Sequence, residues 1–310
     1  MKLLVAYDGS GYSHAALSDL RRAGLPEKAD VLMVSVCEVW LPPETHRTKN
    51  YDLSDNDTWE YFQKHSEQLD RNLSETEKFL IEAKDELQKQ FPHWTIETEA
   101  LAGSPSQVIL KRSARFEPDL VAVGPKGLSS DRGIGLGSVS QTVLSYSQNP
   151  VRICRGNAET GAHGLKIAIG FDSSACSLDA VKAAAERDWQ RNTEFRIFVV
   201  TDPIIPLVPG RTFQVIPGAL EFRMKGEENW IKALAAEALD LLGNYGLKAS
   251  LHMSSGNPRI MLVHTANEWK ADTIFVGKNS RRSNLLGCVA SAVAQRASCS
   301  VEVIPTMQRG

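Results

Sequence analysis

Leu3-Leu4-Val5-Ala6-Tyr7-Asp8-Gly9-Ser10 is an apolar run closed by an acidic turn, and it returns as Ile167-Ala168-Ile169-Gly170-Phe171-Asp172-Ser173-Ser174, 164 residues later. The same offset carries the apolar run Val31–Val36 onto the run that includes Arg196–Val200. Gly103-Ser104-Pro105 then matches Gly256-Asn257-Pro258, and Asp119-Leu120-Val121-Ala122-Val123-Gly124 matches Asp272-Thr273-Ile274-Phe275-Val276-Gly277, both 153 residues on. Val151-Arg152-Ile153 matches Val301-Glu302-Val303 at an offset of 150. Segments repeated in one order, with offsets that step only between them, mark a duplicated domain. A length of 310 residues suits two such units, since domains typically run to about 100–200 residues.

The boundary falls in the polar, glycine-rich stretch around Gly156–Gly164, which divides the chain into residues 1–156, a linker 157–164, and residues 165–310. In the first half, apolar runs at residues 3–7, 31–36, 95–101, 119–123 and 151–154 alternate with helical patterns. Ser13 is placed to cap a helix ending before Gly24, and Leu69, Leu73, Leu80, Leu87 and Phe91 mark one face of a long amphipathic helix. Gln107–Phe116 and Ser138–Ser147 supply two more helices, each stopped by a proline shortly after its end. Continuous apolar strands separated by helices predict a parallel sheet covered on both faces. The second half repeats the order, so the expected fold is α/β, with two tandem doubly wound domains. Insertions at 38–66 and 201–227, rich in proline and aromatics, read as long loops or lids. Trp40, Trp59, Tyr61 and Trp230, in or beside them, read as packing residues.

Hydrophobic residues at 42%, charged residues at 23% and a formal net charge of −2 describe an ordinary globular chain. They give no reason to expect a nucleic-acid or membrane surface. Asp8 interrupts the opening apolar run too early for a secretion signal. The five cysteines, Cys37, Cys154, Cys176, Cys288 and Cys299, form neither CxxC pairs nor zinc spacing, which suggests reduced thiols in a cytosolic protein.

The chemical signal is Gly124-Pro125-Lys126-Gly127, nine residues, and then Gly137-Ser138-Val139-Ser140. It follows an apolar strand and opens a helix, so bare backbone can approach a ligand. The N–H groups at the helix start, with the Ser138 and Ser140 hydroxyls, are suited to phosphate oxygens. Gly127 is expected in a position that a side chain would obstruct. Glycines also serve plain turns and helix caps, and taken alone they do not separate these uses. There is no GxxxxGK[ST]. Gly133-Ile134-Gly135-Leu136-Gly137 is not GxGxxG, and after Gly9-Ser10-Gly11 the third glycine is replaced by His14.

The G-x2-G-x9-G-[ST] pattern ending at Ser138, continued by Val139-Ser140, resembles the ATP-binding branch of the universal stress proteins, and the resemblance spans nearly the whole chain. It implies five-stranded parallel sheets in the order 3-2-1-4-5, with Asp8 and Gly124 at the crevice where the winding reverses. It further implies that Asp8 contacts the nucleoside, that the backbone at Val36 meets adenine, and that Ala6 and Tyr7 line the ribose and base pocket. Gly127, Gly137, Ser138 and Ser140 match the phosphate cradle, which would hold ATP, with or without Mg2+.

The second half departs from this pattern. Asp172 and Gly277 are kept, but Ser280 replaces the second glycine, only six residues separate it from Gly287, and Cys288 stands where Ser138 does. This half is expected not to hold ATP in the usual way. Arg281 and Arg282 read as solvated loop charge. In the resembling family, domains pair through their last strands, so Val151–Cys154 and Val301–Ile304 would pair within one chain. Such a chain is a built-in dimer, able to associate once more.

The expected function is a cytosolic ATP-binding stress or regulatory protein, in which the nucleotide alters the 38–66 insertion and recognition by a protein partner. One alternative is a slow ATPase, or a protein that phosphorylates itself at Ser129, Ser130 or Ser138, with Lys126 and Arg132 near phosphate charge. No histidine other than His14 lies near the first strand's end, and no base is placed to activate water. Another alternative is an interaction module with a vestigial motif. A hydrolase finds no support, because Ser10 lacks the GxSxG context.

Overall fold

A computed structural model of the chain describes residues 1–38, 56–127, 135–156, 164–201, 219–278 and 287–306. Trp40, Ser129, Ser130, Arg132, Gly133, Ile134, Ser280, Arg281, Arg282 and the side chains of Trp59 and Tyr61 lie outside the described residues, as do most of the linker and much of both insertions. The chain divides into two compact units near Gly156.

In the first unit, β1 (Lys2–Ala6), α1 (Gly11–Asp19), β2 (Asp30–Glu38), α2 (Asn56–Gln90) and β3 (Thr95–Gly103) are followed by α3 (Pro105–Phe116), β4 (Leu120–Val123), α4 (Ser138–Tyr146) and β5 (Val151–Ile153). The strands are ordered β3-β2-β1-β4-β5. All of them are parallel, with Leu3 beside both Val31 and Leu120. The winding therefore reverses between β1 and β4. Leu3, Leu4, Leu120 and Val121 are fully buried, as strands covered on both faces require.

The second unit repeats this with β6 (Lys166–Gly170), α5 (Ala175–Ala185), β7 (Glu194–Thr201), α6 (Ala219–Asn244), β8 (Ala249–Ser255), α7 (Pro258–Glu268), β9 (Thr273–Lys278), α8 (Cys288–Arg296) and β10 (Ser300–Pro305). Its order is β8-β7-β6-β9-β10, again parallel. Ile167, Phe195, Ile197 and Phe275 form its core with Leu242 of α6.

Three details differ from the sequence expectation. The cap of α1 is Ser10, whose Oγ accepts the Ser13 N–H at 3.1 Å. Ser13 sits one turn inside, donating its hydroxyl to the Ser10 carbonyl at 2.9 Å. Both insertions are helical at their far ends, since α2 begins at Asn56 and α6 at Ala219. Residues 56–90 contain no proline or glycine to stop α2. Its face closes on the sheet through the fully buried Leu80 and Leu87. Trp230 is 59% exposed, because α6 turns the neighbouring Ile231 inward instead.

Arg152 of β5 and Asp19 of α1 form a wholly buried pair, with Nε donating to Asp19 Oδ2 at 2.8 Å. Removing one member of such a pair leaves a charge stranded away from water. Arg152→Met is expected to destabilise the protein by about 3–5 kcal/mol, seen as a lowered urea midpoint. An unchanged midpoint would mean that the pair contributes nothing.

Candidate functional site

The site of interest in the first unit lies at the carboxyl ends of β1 and β4, where open α/β sheets bind ligands. Beyond β1 the Tyr7 N–H still donates to the Val34 carbonyl at 2.9 Å. The chain then turns sharply at Gly9, whose φ of 75° is left-handed and favours glycine. Asp8 Oδ1 accepts the Ser10 N–H at 3.0 Å. This is the turn role open to any aspartate in that position.

Its other oxygen faces the glycine loop. A Cβ on Gly127 would lie 2.7 Å from Asp8 Oδ2. Gly127 is not in the left-handed region; a side chain there would instead displace the Asp8 carboxylate from its present position. Gly124 is similarly close to α1, as a Cβ there would approach the Tyr12 carbonyl to 3.3 Å.

Gly137 caps α4 without any side-chain hydrogen bond, and its own N–H donates to the Pro125 carbonyl at 2.8 Å. The N–H groups of Ser138, Val139 and Ser140 therefore open the helix with no intrahelical acceptor. Ser138 is exposed and Val139 half-buried. Ser140 is buried, and its hydroxyl donates to the Gly124 carbonyl at 2.7 Å. That proton ties α4 to the end of β4, so it is the Ser140 N–H that remains without an acceptor within the helix. Ala6 and Val36 are half-buried at the ends of β1 and β2. Asp8, Gly124 and Gly127 thus meet within the described residues, with Gly137 anchored to the same strand end.

Tyr7 behaves differently from its neighbours. It is 4% exposed, packs its ring against His14 and Phe79, and shares a hydrogen bond with His14 Nε2 at 2.8 Å. His14 Nδ1 lies 3.7 Å from Glu86 Oε2 on α2. Sequence reasoning did not foresee this link, because nothing in the primary pattern brings α2 to His14. Burial first, then the charges of Glu86, Asp8 and Glu82, push the Tyr7 phenol up to about 12.

In the second unit Ser173, with φ 61°, makes the turn that Gly9 makes in the first. Asp172 Oδ1 accepts both the Ser174 N–H and its hydroxyl. Cys288 opens α8 after an uncapped Gly287 and is exposed.

Residues 1–155 and 165–305 each match the sequence model of the universal stress protein family. A universal stress protein of Mycolicibacterium smegmatis is 26% identical over 220 residues, covering 68% of this chain and 69% of that protein. A universal stress protein of Methanocaldococcus jannaschii is 31% identical over 144 residues, covering 45% of this chain and 81% of that one. The crystal structure of a universal stress protein from Archaeoglobus fulgidus superposes with a TM-score of 0.61 at 20% identity, covering 100% of this chain and 97% of the other.

The raised Tyr7 phenol has a defined pH signature. Unfolded, it ionises near 10; folded, it keeps its proton to about 12. Its contribution to stability is complete below pH 10 and is lost as pH rises toward 12. In Tyr7→Phe the latest-ionising component of the tyrosinate absorbance should disappear, and stability should fall less steeply over that range. A component near pH 12 that survives in the variant would contradict the assignment.

Proposed function

The chain belongs to the universal stress protein family, and from that membership we propose that its first half binds one ATP, with Mg2+, and signals its presence to a protein partner in the cytosol. The observation that carries this reading is the meeting of Asp8 with Gly127 beside the uncapped start of α4. A carboxylate at one end of the crevice and three outward N–H groups at the other suit a ligand with hydroxyl donors at one end and anionic oxygens at the other.

In this reading Asp8 accepts from the ribose, and the backbone at Val36 faces the adenine, with Ala6 and the Tyr7 backbone forming the adjoining wall. Gly124 and Gly127 allow the loop backbone to come close to the phosphates. Gly137 positions the N–H groups of Ser138, Val139 and Ser140 toward them, and the exposed Ser138 hydroxyl adds a further donor. The nucleotide supplies the negative charge that the helix start attracts. Each charge-assisted hydrogen bond of this kind contributes about 1.5–3 kcal/mol.

The second half serves as a structural partner in this account and takes no triphosphate. In this reading the nucleotide is bound and not hydrolysed, and His14 serves the packing of Tyr7. The nucleotide acts as an effector, and the protein partner reads its presence.

Denaturing the purified protein after saturation with ATP and magnesium, then counting released nucleotide, tests this directly. About one adenine nucleotide per chain is expected. Gly127→Val, which forces a side chain onto Asp8, should weaken binding by about tenfold or more. No nucleotide even at saturation would refute the reading, and two per chain would refute the exclusion of the second half.

A further inference from the structure

The second unit has its own crevice at the carboxyl ends of β6, β7 and β9, and it differs chemically from the first. It holds a cavity of about 140 Å³ walled by Phe171, Phe198, Val200, Leu262, Val276 and Val289. We propose that this cavity is a separate binding site for a small, phosphate-free aromatic ring carrying an ammonium or N–H donor. The inference goes beyond the nucleotide reading of the first half and does not depend on it.

Size comes first. An apolar cavity of about 150 Å³ is enough to bind benzene, so a single ring fills this one.

The walls are held in place by close packing. A Cβ on Gly170 would lie 2.7 Å from Leu262 Cδ2, and one on Gly277 would lie 2.3 Å from the Cys176 carbonyl oxygen. Gly277 is therefore needed to bring the α5 backbone against the end of β9, while Leu262 of α7 packs its side chain close over Gly170. In this half the glycine after the fourth strand serves packing, and the cavity beside it is largely formed before any ligand arrives.

The polar groups decide the ligand's chemistry. Ser174 gives its hydroxyl to Asp172 Oδ1, and Ser177 gives its own to the Ser174 carbonyl at 2.9 Å. Their protons are committed inside the protein. Among the described lining residues Asp172 is the charged one, and its Oδ2 accepts from no described group. A ligand here meets an apolar box with a carboxylate at its mouth, so it must bring a donor. The start of α8, which has no side-chain cap, is the competing attraction for an anion.

Benzylamine, benzyl alcohol and benzyl phosphate share one ring and differ in head group, and calorimetric titration of the full chain with each tests the proposal. Benzylamine should bind best, the alcohol more weakly, and the phosphate least. Asp172→Asn changes an exposed side chain and should leave the fold intact. It should weaken benzylamine about threefold to fivefold, the scale of one exposed charge pair, and leave the alcohol unchanged. Val289→Trp, which fills the cavity, should abolish binding of all three. The proposal is overturned if benzyl phosphate binds as well as benzylamine, if excess ATP displaces benzylamine, if both variants bind like the parent, or if millimolar benzylamine does not bind.

Discussion

A Cβ at Gly127 would stand 2.7 Å from Asp8 Oδ2, so the bare loop backbone is what lets the carboxylate keep its place, and this closeness shapes the crevice of the first half. Asp8 sits where it does because β1 is central, paired on one side with β2 and on the other with β4. Gly127 reaches it because β4 ends beside β1 and Gly124 leaves room against the Tyr12 carbonyl. Two further ties bring the start of α4 to the same place. The Gly137 N–H binds the Pro125 carbonyl, and the Ser140 hydroxyl binds the Gly124 carbonyl. Helix start, strand end and carboxylate are thereby held together by the backbone and by hydrogen bonds that need no ligand.

The two halves keep one frame and alter its chemistry. The strand order and parallel pairing are the same in each. At the crevice, Gly9 gives way to Ser173 in the same left-handed turn, and Ser138 gives way to Cys288 at the helix start. The first half presents a carboxylate and outward N–H groups. The second presents an apolar cavity with a carboxylate at its mouth. Duplication followed by divergence at loops and helix starts can change the ligand while the sheet stays intact, because the sheet's stability comes from residues such as Leu3, Ile167 and Phe275 that lie away from the crevice.

The sheet was legible in the sequence because its strands are buried on both faces and so appear as unbroken apolar runs. Helix limits were harder. Ser10 and Ser13 are both plausible caps by type, and only the turn at Gly9 selects Ser10. The far ends of the insertions resembled loops because of nearby prolines, yet residues 56–68 lack any helix breaker. Trp230 illustrates a one-residue ambiguity on a helix, where the neighbouring Ile231 takes the inward position. The meeting of Asp8 and Gly127 followed from strand order. The pairing of Tyr7 with His14, the use of Ser140's hydroxyl within the protein and the cavity of the second half depend on side-chain packing between distant elements. No local pattern encodes those contacts.

A crystal structure of the chain grown with ATP and magnesium tests the central claim most directly. The account predicts one nucleotide, in the first half, with its ribose at Asp8 and its phosphates at the N–H groups of Ser138, Val139 and Ser140. A nucleotide in the second crevice instead, or a first crevice still without one at saturating ATP, would contradict it.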